Sequence, residues 1–139
     1  MIVLDSTVLV YAIGAEHPLR GPCRRLVQAI GAGHVEATTT AEAIQQLVHV
    51  RARRRSRADA ARQGRSYAAL LAPLIRPTPE DLADGLALFE AHESLGAFDA
   101  VLAASALARG ADALVSADEA FAVVPGLTRL DPTSVDQLL

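Results

Sequence analysis

Residues 1–12 read MIVLDSTVLVYA, a nearly continuous apolar run interrupted by one acid. Ile2, Val3 and Leu4 predict a short strand buried on both faces, as in parallel sheets. An ionised carboxylate inside such a strand would cost several kcal/mol without compensation. Asp5 is therefore expected at the strand's carboxyl end, where open α/β sheets present the crevice that binds ligands. The following STVLVYAIG reads as a short helix that Ser6 or Thr7 can cap.

Helices and strands alternate from there. Residues 17–33 form a helix opened by Pro18 or Pro22 and closed by Gly31 and Gly33. HVEATTT (34–40) is a second strand. It leads into a helix over 41–57 with Ile44, Leu47, Val48 and Arg51 on one flank. A further helix over 58–74 breaks at Pro73. Thr78, Pro79, Glu80 and Asp81 carry a strong helix-start signature. The Ala-rich helix 97–110 ends at Gly110, ADALVSAD (111–118) is a strand ending in a carboxylate, and GLTRLDP (126–132) supplies a last short strand. This alternation predicts a three-layer α/β/α sandwich around a mostly parallel sheet. With no linker or repeat, residues 1–139 are expected to form a single domain.

Composition narrows the chemistry. The chain is 51% hydrophobic with a mean hydropathy of +0.26, which indicates a folded globule. Aromatics are 4% and Trp is absent, which argues against a stacking platform for bases, since that needs several exposed rings. Cys23 is the sole cysteine, so an internal disulfide and a thiolate metal cage are excluded; it reads as a small core or boundary residue. All 13 basic residues are Arg. The missing Lys rules out a P-loop lysine, a Schiff base and a Ser–Lys pair. No stretch is long and uncharged enough to span a bilayer, and a cytoplasmic setting with no membrane association is expected.

Four acids share an unusual placement: Asp5 after the first strand, Glu42 in a first helical turn, Asp99 at the start of the Ala-rich helix, and Asp118 after the strand ALVS. Taken singly, Glu42 and Asp99 read most simply as helix caps, each worth about 0.3–1 kcal/mol against the macrodipole, and Asp118 as a turn residue. Gathered in one pocket, carboxylates repel unless a cation joins them. With oxygen-only ligands and no Lys, that cation is a hard one such as Mg²⁺ or Mn²⁺. Such a site activates water and steadies phosphodiester oxygens during displacement.

The blocks MIVLDSTVLVYA, TTTAEAIQQ and FDAVLAASALARGADALVSADEAF together resemble the signature of the PIN domain, and most closely the VapC toxins of bacterial toxin–antitoxin pairs. The resemblance covers nearly the whole chain, and its last block is the most specific. It implies a Mg²⁺- or Mn²⁺-dependent endoribonuclease that hydrolyses RNA with a metal-activated water. Asp5, Glu42, Asp99 and Asp118 would then be catalytic and metal-ligating. Thr7 and Ser116 occupy the family's hydroxyl positions, and Gln46 and Arg53 are candidate substrate contacts. The resemblance also implies a homodimer restrained by a cognate VapB-type antitoxin.

Other readings of the same residues fit less well. A haloacid-dehalogenase-like phosphatase wants a second Asp where Thr7 stands, and a receiver domain wants a late Lys. A non-catalytic binding module would not need all four acids. Seven of the arginines fall between Arg51 and Arg65, a stripe able to follow an RNA backbone or to contact an antitoxin, although the net charge of −3 predicts no general affinity for nucleic acid. His49 and His92 read as polar surface. Leu26, Val27 and Ile30 are candidate contacts for a partner, with core packing the simpler expectation.

Overall fold

The computed structural model describes residues 1–139. Four strands, β1 (Ile2–Leu4), β2 (Ala37–Thr38), β3 (Ala113–Val115) and β4 (Arg129–Leu130), form one sheet in the order β2-β1-β3-β4. Every pair is parallel. Six helices connect them: α1 (Ser6–Ile13), α2 (Arg20–Gly31), α3 (Ala41–Arg54), α4 (Arg57–Leu70), α5 (Pro79–Ala91) and α6 (Ala97–Ala108). Short 3-10 turns follow at Glu119–Val123 and Pro132–Gln137.

The period-2 alternation of the strands makes the three layers. Ile2 and Leu4 of β1, with Ala113 and Val115 of β3, join one buried cluster with Leu9, Leu26 and Leu47 of α1, α2 and α3. The intervening Val3 and Leu114 point the other way, into a cluster with Ala100, Leu102, Ala103 and Ala106 of α6 and with Phe121. Both faces are covered, which is why these strands carry no polar residue. Leu26 and Ile30 are buried and Val27 packs against the same cluster, so the apolar face of α2 is core. Cys23 is fully buried, and burial, reinforced by Asp131, pushes its thiol up to about 12.

Several local expectations change. Neither Ser6 nor Thr7 caps α1; Asp5 takes the N-cap position and makes no side-chain cap bond. Helix α2 starts at Arg20 after Leu19, so Pro22 lies inside its first turn. The strand expected over 34–40 contracts to two residues because the threonines turn to other partners. Thr38 Oγ1 donates to the carbonyls of Leu71 and Pro73, Thr39 Oγ1 donates to Leu4 O at 2.6 Å, and Thr40 Oγ1 accepts from Ala43 N, capping α3. The helix expected over 41–57 stops at Arg54, since Ser56 caps α4 by accepting from Asp59 N.

Thr78 and Asp81 form a complete capping box on α5. Burial opposes the ionisation of Asp81, but the Thr78 backbone N–H, the Arg109 guanidinium and Ser105 together hold its carboxyl below the usual range. Arg109 Nη1 donates to Asp81 Oδ2 at 2.8 Å, while the same guanidinium holds the carbonyls of Ser105 and Arg76. This network fixes α5 against α6, where Gly85 lets the two backbones approach. No helix is long and apolar enough to cross a membrane.

Candidate active site

Strand order places the site. β1 is central, with β2 on one side and β3 on the other, so the chain's winding reverses beside β1. A crevice opens there beyond the carboxyl ends. Asp5 follows β1, Ser116 and Asp118 follow β3, and the turn after β2 leads through Thr40 into α3 with Glu42 in its first turn. Helix α6 brings Asp99 in its own first turn.

Asp5 is 3% exposed and Ser116 is fully buried, and their contact compensates the carboxylate at the end of β1. Ser116 Oγ donates to Asp5 Oδ2 at 2.7 Å and Thr7 Oγ1 donates to the same oxygen at 2.8 Å. Both hydroxyl protons are thereby spent on Asp5. Their oxygens in turn accept from the 117–118 backbone, Thr7 Oγ1 from Ala117 N and Ser116 Oγ from Asp118 N. One carboxylate oxygen of Asp5 is anchored from two sides, and Oδ1 carries no hydrogen bond. Arg129, which the motif does not mark, braces this turn by donating from Nε and Nη2 to Ser116 O.

Asp99 is half-buried, and its carboxylate makes no hydrogen bond or ion pair. Burial, then the charges of Asp5 and Asp118, push its carboxyl up from 3.8 to about 6. Asp5, Asp99 and Asp118 thus share one field. Glu42 is exposed on the rim, yet it lines a small pocket with Asp99, Gln46 and Phe98. Glu42 and Asp99 do stand in the first turns of α3 and α6, where a carboxylate suits the macrodipole, but the N-cap positions belong to Thr40 and Gly96. Asp118 does serve its turn, accepting from Ala120 N at 2.9 Å.

None of the six ion pairs in the protein involves these four acids. As the side chains stand they do not close into a three-ligand shell. The arrangement is open and all-oxygen, with a raised pKa that a cation would relieve. This fits a hard ion that keeps part of its water shell.

Of the other candidates, Thr7, Ser116 and Gln46 reach the site. Arg53 is exposed near the far end of α3, eleven residues beyond Glu42 and so about 16 Å along the axis. His49 is exposed on α3, and His92 ends α5. Part of the arginine stripe is structural. Arg51 bonds Asp59 and Ile13 O, and Arg62 also meets Asp59; the Arg51 bond is foremost in holding the Asp59 carboxyl below its usual range. Arg53, Arg54, Arg55, Arg57 and Arg65 remain exposed.

The protein is thus an α/β/α sandwich with an unpaired acidic pocket at the switch point of its parallel sheet. The PIN domain family model matches residues 2–127. The chain is 56% identical over 136 residues to Ribonuclease VapC7 of Mycobacterium tuberculosis, covering 95% of this chain and 92% of that one. It therefore belongs to the PIN-domain family. Two solved structures have the same fold. The crystal structure of VapBC2 from Rickettsia felis, bound to a DNA fragment from their promoter, matches with a TM-score of 0.73 at 19% identity over 94% of this chain and 98% of that one. A toxin–antitoxin complex from Klebsiella pneumoniae matches with a TM-score of 0.70 at 16% identity over 95% and 98%.

Proposed function

We propose that this PIN-domain protein is a divalent-metal-dependent endoribonuclease, the VapC-type toxin of a toxin–antitoxin pair, acting in the cytoplasm. The observation that carries the reading is Asp99, a half-buried carboxylate with no cationic partner beside Asp5 and Asp118. Identity to a ribonuclease over nearly the full length supports it. Asp5, Glu42, Asp99 and Asp118 would hold Mg²⁺ or Mn²⁺, directly or through water. When bound, such an ion supplies a Lewis acid that activates water and offsets charge developing on a phosphodiester.

The protein's own residues supply position. Thr7 and Ser116 fix one oxygen of Asp5 and leave Oδ1 free to ligate. Asp118 is held by its backbone bond to Ser116 Oγ and by its bond to Ala120 N. Glu42 and Gln46 form the opposite lip with Asp99. Residues 1–139 act as one domain in this reading. A cognate VapB-type antitoxin restrains the enzyme. The exposed stripe Leu82, Leu86 and Phe89 on α5 offers an apolar face for a second copy in a homodimer.

The test is cleavage of single-stranded RNA by the purified protein with Mg²⁺ or Mn²⁺. EDTA should stop the reaction, and the products should carry 5′-phosphate and 3′-hydroxyl ends. Asp5→Ala and Asp99→Ala should abolish cleavage while the domain stays folded. EDTA-sensitive cleavage retained in both variants would defeat the assignment.

A further inference from the structure

We propose that Phe98 and Gln46 hold the nucleobase adjoining the scissile phosphate, the base stacking on the phenyl face while the amide reads its edge. The inference rests on the ribonuclease reading and adds the residues that choose where the RNA is cut. Phe98 is 68% exposed, more than any other large hydrophobic residue of the chain, so its ring faces water where burial would favour it. It directly precedes Asp99 and stands where two hollows meet. The small pocket holds Glu42, Gln46 and Asp99; the other is an apolar groove of about 560 Å³ walled by Leu82, Leu86 and Val101.

Gln46 is half-buried and its amide makes no hydrogen bond in the protein. An amide that donates and accepts at once matches the edge of a base. Single-stranded RNA is commonly recognised through splayed bases stacked on aromatic rings and bonded at their edges. A base next to the cut must lie within one nucleotide of the acids, and Phe98 meets that condition through its adjacency to Asp99. Phe89 lines neither hollow and suits a protein partner instead. The scarcity of rings in the chain excludes a platform for several bases, but a single ring at the lip serves one.

The experiment is a cycle crossing Phe98→Ala with an abasic nucleotide beside the mapped cut, using the full-length protein with Mn²⁺ and single-stranded RNA oligonucleotides. Phe98→Ala should lower kcat/KM on intact RNA by about 5- to 150-fold, the range that base–aromatic stacking supplies. The abasic RNA should cost the wild type at least that factor and cost Phe98→Ala far less, only the share of the Gln46 contact. Gln46→Leu should alter the preferred base at that one position. Binding of intact RNA by Asp99→Asn, with and without Phe98→Ala, should show the same loss in the absence of cleavage. Losses that multiply independently would overturn the proposal. So would a Phe98→Ala variant with altered sedimentation and unchanged kcat/KM, which would give the ring to a protein interface. RNA cleavage by the wild type without coupling defeats this inference alone, whereas a wild type that neither cuts nor binds RNA defeats the ribonuclease reading with it.

Discussion

Replacing Asp99 with Asn keeps the side chain's shape and removes the charge that its surroundings oppose. The carboxyl of Asp99 ionises at about 6 instead of 3.8 because of burial and its neighbours Asp5 and Asp118. At about 1.4 kcal/mol per pH unit, this corresponds to about 3 kcal/mol of folding free energy once Asp99 is ionised. Water reaches the half-buried group and screens it, which reduces the expected cost to about 1–2 kcal/mol.

The folded-state pKa lies above that of the unfolded chain, so between these values the fold retains a proton that the unfolded chain has lost. Stability therefore falls as pH rises from about 4 to 6, and the full cost is present above that window. With an unfolding entropy of about 2.1 cal/mol/K per residue, Asp99→Asn should raise Tm in EDTA by about 3–7 °C at neutral pH. The assay is thermal unfolding followed by circular dichroism for both proteins. The advantage of the variant should shrink steadily below about pH 5 and be largely gone near the unfolded carboxylate pKa of about 4. Added Mn²⁺ should stabilise the wild type and leave Asp99→Asn nearly unmoved. A variant less stable than wild type at neutral pH, or an offset independent of pH, would refute the shared acidic field.

Thr7→Val and Ser116→Ala each remove a hydroxyl donor from the buried Asp5 carboxylate. Each should lower stability in urea unfolding by about 1.5–3 kcal/mol and reduce RNA cleavage. Arg109→Met should cost about 3 kcal/mol by leaving Asp81 buried without its cation. Since Asp81 is held below its usual pKa, the benefit of the pair is present at neutral pH, and the gap between wild type and variant should narrow below about pH 4. A Cβ on Gly85 would stand 2.8 Å from Val101 Cα and 3.0 Å from its backbone N. Gly85→Ala should therefore lower stability by at least about 1 kcal/mol, despite alanine's better helix propensity, because helix backbone has to move; calorimetry measures it.

Much of this protein is determined by local sequence. The apolar runs of β1 and β3, the Thr78–Asp81 capping box and the end of α6 near Gly110 follow from residue order, because each depends on neighbours within a few positions. The motif likewise marks the acids and the hydroxyls Thr7 and Ser116. Tertiary structure decided the rest, since the deciding partners lie far along the chain. Thr39 bonds Leu4 O and Thr38 bonds Leu71 O and Pro73 O, which cuts short a strand that reads longer in sequence. Asp99 looks like a helix cap until folding sets it near Asp5 and Asp118. The exposure of Phe98 beside the acids likewise depends on how α6 sits against α5. Repulsion between like charges acts through space, and residue order alone does not reveal which carboxylates share that space.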